Sequence, residues 1–163
     1  MKIKFFLLRV MALLLTFSCL FGLIPVALAS EASSFLSVEG AAIRTTGVQG
    51  LKFVGRLYKN TGFQLAEDAE FGILLIPQSV VGENERITVS TESVRVVPAQ
   101  NLMEETAEYY AFNAVLTDIP AEFYGTRIIA RAYLENNGVY YYSASTCVRN
   151  IAQIADSFIA DST

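Results

Sequence analysis

The chain has 163 residues, with 12 Lys and Arg against 16 Asp and Glu and a net charge of −4. That balance argues against a nucleic-acid binder, which needs a basic face to displace counterions from phosphate. The chain has no histidine, which removes Ser-His-Asp and Cys-His catalysis, His-ligated zinc and the usual general base near neutral pH.

Residues 1–29 read as a cleaved signal peptide. Lys2 and Lys4 make a basic start, a long apolar run follows, Pro25 interrupts it, and Ala27-Leu28-Ala29 gives the small-x-small cleavage pattern. If the leader is retained, residues 10–29 are long and apolar enough to serve as a membrane anchor. Cleavage removes Lys2, Lys4 and Arg9, so nine cations face all sixteen carboxylates in residues 30–163, a net charge of −7. These 134 residues suffice for one domain with its own core. Cys147 is then the only cysteine, so no internal disulfide is expected, and its packed setting marks it as an inert buried thiol.

In chain order, GAAIRTTGVQGLKFVGRL (40–57) comes first. It lacks the G-K-[ST] of a phosphate loop, and residues 50–58 alternate with Leu51, Phe53, Gly55 and Leu57 on one face. Two strands joined by a turn at Gly47 and Gly50 are expected. FGILLI (71–76) is apolar on both faces and stops at Pro77, which predicts a central strand. RITVSTESVRVV (86–97) is rich in β-branched residues and predicts two short strands broken near Glu92–Ser93. Alternation continues through 109–117, 126–135 and 139–146. Asn137-Gly138 between the last two runs predicts a type I′ hairpin. In residues 147–159, Val148, Ile151, Ala155 and Phe158 fall at helical spacing, with Ser145 or Thr146 as cap.

The segments GAAIRT, GLKFVGRL, FGILLIP, FNAVLTDIP and IIARAYLENNGVYYYS resemble a β-sandwich module of secreted and cell-surface proteins of Gram-positive anaerobes. The ending is also similar to the last hairpin of fibronectin type III and immunoglobulin-like domains, although Tyr124 sits too far from the next strand for a regular tyrosine corner. The expected fold is all-β: an antiparallel immunoglobulin/fibronectin III-like sandwich of about seven strands with a short C-terminal helix. The resemblance implies no activity and no catalytic residues.

With a two-residue turn, Tyr133 faces Tyr142 and Glu135 faces Tyr140. Tyr133, Tyr140, Tyr142, Arg127 and Arg131 then share one outer face, and Ile128, Ala130, Ala132 and Leu134 point to the core. Rings beside cations suit sugar stacking or an acidic ligand, whereas the structural reading is cross-strand pairing. A three-residue Asn136-Asn137-Gly138 loop with a bulge would swap the faces of 139–145. Arg44 ends its strand as a ligand-binding arginine or as an ion-pair partner of Glu70 or Glu39. Glu67, Asp68 and Glu70 lack the spacing of a calcium loop, so no metal and no cofactor is expected.

The expected function is a secreted, non-catalytic interaction module binding a carbohydrate or a cell-surface protein. Its alternatives are a structural module pairing through a sheet edge or the helix, and a small carboxylate-only glycoside hydrolase.

Overall fold

Alternation in the sequence becomes two facing sheets in the structure, a computed structural model that describes residues 32–59, 62–82, 86–99 and 102–161. The proposed leader, residues 1–29, lies outside the described residues. One sheet has the order β1 (Ala32–Ser33), β9 (Val139–Ser143), β8 (Ile128–Asn136), β4 (Glu70–Pro77), β5 (Arg95–Pro98), and β10 (Cys147–Arg149) also pairs with β8. The other has the order β2 (Leu36–Arg44), β3 (Gly50–Tyr58), β7 (Tyr109–Thr117), β6 (Leu102–Glu105). Every pairing is antiparallel except β1 with β9. A short helix α1 (Gln78–Val81) follows β4, and α2 (Ile151–Asp161) follows β10. The fold is an all-β sandwich with a C-terminal helix. The two-residue β1 and the edge strand β6 are additions to the expected set.

Period two builds the core. Along β3, Leu51, Phe53, Gly55 and Leu57 are buried while Lys52, Val54 and Arg56 are half-buried. The inward residues of β3 meet Phe112 and Ala114 of β7 and Ile73, Leu75, Ala130, Ala132 and Leu134 of the facing sheet. Strand β4 is central, as its doubly apolar sequence requires, with β5 on one side and β8 on the other. Its second face belongs to a second cluster, in which Leu74, Ile76, Ile129, Tyr133 and Tyr142 pack with Ile87.

The last hairpin keeps the expected register. Tyr133 pairs with Tyr142, Leu134 with Tyr141, Glu135 with Tyr140 and Asn136 with Val139. Asn137 and Gly138 both take positive φ, 53° and 79°, as a type I′ turn demands. Beyond Ser143 the strand is interrupted by residues 144–146 and resumes as β10, with Cys147 opposite Ala130 and Arg149 opposite Ile128. Partner numbers sum to 275 along β9 and to 277 along β10. The interruption is a bulge of two extra residues. Ser143 holds it: its hydroxyl accepts from Ala132 N–H at 3.1 Å and donates to the Ser145 carbonyl at 2.7 Å.

Two expectations change. Residues 86–94 form no strand; only Arg95–Pro98 pairs with β4. The Ser and Thr side chains of 88–91 compete for backbone groups: Thr91 Oγ1 accepts from Thr88 N–H at 2.8 Å, and Thr91 N–H donates to the Thr88 carbonyl at 3.0 Å. Local bonds of this kind favour turns over ladders. The helix begins at Ile151 instead of 147, because Cys147–Arg149 is drawn into pairing with β8. Its cap is Asn150, whose Oδ1 accepts from Gln153 N–H at 2.7 Å. Ser145 and Thr146 lie in the bulge. Ile151 and Ile154 pack against the main core, so α2 covers one end of the sandwich.

Gly55 sits directly beneath the Phe112 ring of the neighbouring strand. A Cβ there would lie 2.5 Å from the Phe112 ring. Gly55→Ala is expected to cost about 1–3 kcal/mol by overpacking, measured by urea denaturation. A midpoint equal to wild type would show that Phe112 has room to move.

Candidate functional site

The Tyr/Arg face expected to meet a ligand is covered. Tyr133, Tyr142 and Arg131 share one face of the hairpin, but each is no more than 3% exposed. Residues 86–94 lie over them. Arg131 ties this cover down: its Nη1 donates to the Ile87 carbonyl at 2.7 Å and its Nε to the Ser143 carbonyl at 2.9 Å. The guanidinium also sits 5.0 Å from the Tyr142 ring centroid, and Val89 N–H donates to the Tyr142 hydroxyl at 3.3 Å. Burial is the main cause that pulls the Arg131 pKa below its ordinary value, and the nearby Arg86 charge adds to it. Tyr140 is half-buried and stacks on Tyr142 with an interplanar angle of 11°. The solvent-facing placement of Tyr133, Tyr142 and Arg131 is therefore corrected. The segment that hides them reads as strand in the sequence and gives no signal that it will fold across a sheet.

The other two arginines are not buried with that cluster. Arg127 precedes β8 and is exposed. Arg44 pairs with neither Glu70 nor Glu39: its Nε donates to the Thr46 carbonyl at 2.9 Å, and the guanidinium lies over Gly47. Glu39 instead pairs with Arg56 at 3.1 Å.

Cations over rings do occur at the surface, on the other sheet. Arg56 lies 4.6 Å from the Tyr109 centroid and Lys59 lies 4.1 Å from that of Tyr110. Both cations are engaged internally, Arg56 by Glu39 and Lys59 by Glu105 at 2.8 Å and the Thr106 carbonyl at 2.6 Å. They fasten strand ends rather than offering themselves outward.

What the fold does leave open is a groove at one end of the sandwich, between the β2–β3 turn, the 118–126 connection and the first turns of α2. Two adjoining cavities of about 310 and 630 Å³ make it up. Asp118, Ile119 and Ile151 line both. The narrower opens onto the core through Leu51, Leu116 and Ile128. The wider is walled by Ile43, Val48, Ala152 and Ala155. Val48, Phe123 and Tyr124 are 44 to 59% exposed beside it, a concentration of large apolar surface.

The groove is rigidly framed. Phe123 N–H donates to Pro120 O, Tyr124 N–H to Ala121 O and Thr126 N–H to Phe123 O, all within 3.1 Å. Helix α2 is fixed to this connection: Ala152 N–H donates to Tyr124 O at 3.1 Å, and Asn150 Nδ2 to Gly125 O at 3.2 Å. Asp118 turns the chain with a positive φ of 57°, a conformation that Asp and Asn accept more readily than most residues. Sequence reasoning missed this site. The available signal was the adjacent pair Phe123-Tyr124 in a connection between strands, where large apolar residues have no sheet to pack on.

Compared with known families and curated proteins, the chain matches no family model and no curated protein.

Burial pushes the Tyr133 phenol up to about 12, with Glu70 and then Tyr140 adding to it. Burial also raises Tyr142, against the Val89 hydrogen bond. An unfolded tyrosine ionises near ~10. The folded state thus holds a proton that the unfolded chain loses, and stability falls as pH rises from about 10 to about 12. Below that window the contribution is complete. Phenolate absorbance should show a late step that Tyr133→Phe removes. All tyrosines titrating together near ~10 would contradict the buried placement.

Proposed function

We propose that this chain is a secreted, non-catalytic interaction module whose end groove takes an apolar segment of a protein partner. The leader-like first 29 residues and the likeness to surface modules of Gram-positive anaerobes support the extracellular setting. The strand orders support an immunoglobulin-like reading. Lettered A to G from β2 onward, one sheet runs A-B-E-D and the other G-F-C with an added strand beyond C.

The observation that carries the reading is the groove: mainly apolar walls, a size within reach of side chains, and exposed Val48, Phe123 and Tyr124 beside it. Concave apolar sites with a few polar groups are where ligands bind. A protein segment is favoured over a glycan because the tyrosines suited to sugar stacking are under residues 86–94. The non-catalytic part has its own support: among the described residues, Asp118 is the only carboxylate lining either cavity of the groove, whereas carboxylate-only hydrolysis needs a facing pair.

Ala152 is exposed on α2 and lines the wider cavity, so Ala152→Trp should block it without disturbing the core. Peptide display against the wild type is expected to enrich segments with clustered apolar residues. Ala152→Trp should lose them by about tenfold or more, the worth of one buried apolar side chain. Enrichment no better than random, or glycan binding that survives Ala152→Trp, would refute the proposal.

A further inference from the structure

We propose that the groove selects an apolar segment carrying a lysine or arginine, and that Asp118 is the residue that reads this cation. The inference rests on the groove being the binding site and names the chemistry of its occupant.

Asp118 stands in the wall shared by both cavities and, among the described residues, is the only charged side chain lining the wider one. Its carboxylate is exposed and, among the described residues, enters no ion pair. One hydrogen bond occupies it, from Thr117 Oγ1 at 2.9 Å. A carboxylate accepts several such bonds, so most of its capacity faces outward. Two cations of the frame are committed or displaced. Arg44 is folded onto the Thr46 carbonyl, and Arg95 lines only the narrower cavity. An occupant of the wider cavity therefore meets apolar walls and one unneutralised negative charge. A low-dielectric wall strengthens a pair formed there beyond what open surface allows.

The chain's net charge of −4 works in the same sense. It attracts a basic segment and repels a second copy of itself or an anionic membrane surface.

The test uses short synthetic Leu/Lys, Leu/Glu and Ser/Lys peptides, titrated calorimetrically against the wild type, Asp118→Asn, Ala152→Trp and Glu67→Gln. Asn accepts the positive φ at 118, so Asp118→Asn removes the charge and keeps the turn. Glu67 lies exposed at the opposite end and controls for general acidity. The Leu/Lys peptide is expected to bind about tenfold tighter than either relative. Asp118→Asn should weaken it about fivefold and flatten its salt dependence, and Glu67→Gln should change neither. Equal binding of Leu/Lys and Leu/Glu overturns the charge selection and leaves the groove standing. Binding by no peptide, or binding that Ala152→Trp does not touch, overturns the groove itself. A dimer seen in sedimentation that Ala152→Trp dissolves assigns the groove to a second copy and overturns both. Should Asp118→Asn fail to fold, a wild-type affinity for Leu/Lys that does not fall with salt overturns the selection alone.

Discussion

Strand β8 must be covered on both faces, and the rest of the molecule is arranged around that need. Ala130, Ala132 and Leu134 look toward the opposing sheet, and Ile129, Arg131 and Tyr133 look the other way. A two-layer sandwich covers only the first set. The second set would leave a broad apolar strip in water, at about 25 cal/mol per Å². Residues 86–94 supply the missing third layer. They bring Ile87 to full burial, but no ladder hydrogen bonds, so their backbone has to be held by side chains. Arg131 and Tyr142 do this from beneath. A cation reaching carbonyl oxygens makes stronger hydrogen bonds than a neutral donor, about 1.5–3 kcal/mol each, which suits a segment with no strand partner.

That arrangement explains which parts of the fold were legible. Where one pattern governs, reading is direct: the alternation of β3, the doubly apolar β4 and the Asn137-Gly138 turn each specify one outcome. The register of the last hairpin followed from the turn, including Tyr133 opposite Tyr142. Exposure did not follow, because period two says which residues share a face and nothing about what lies over it. Residues 86–97 have strand composition throughout, and the difference between Ile87 and Val97 is tertiary. The helix start failed for a related reason. Cys147 and Val148 fit both a helical stripe and a strand, and the free edge of β8 at Ala130 and Ile129 decided in favour of pairing.

The candidate groove was less legible still. Its walls come from the β2–β3 turn, the 118–126 connection and α2, three stretches far apart in the chain. None has a motif of its own. Asp118 looks in the sequence like the end of a strand before Pro120, and only the fold sets its carboxylate between two cavities. The opposite end of the sandwich offers a contrast. There Lys59 and Arg56 are already matched with Glu105 and Glu39, so these two cations are spent within the molecule.

The two-residue bulge at 144–146 has a consequence for how the chain tolerates change. Side chains along a strand alternate, so a slip by one residue exchanges the two faces, while a slip by two restores them. The step from 275 to 277 is even. It lets Cys147 return to the core side opposite Ala130 and Val148 to the outer side opposite Ile129, in phase with Tyr141 and Tyr142 before the break. Parity, more than length, is what this joint conserves. An insertion or loss of one residue would hand α2 to the sheet with its apolar face turned about, whereas a change of two would lengthen or shorten the joint and leave the helix seated.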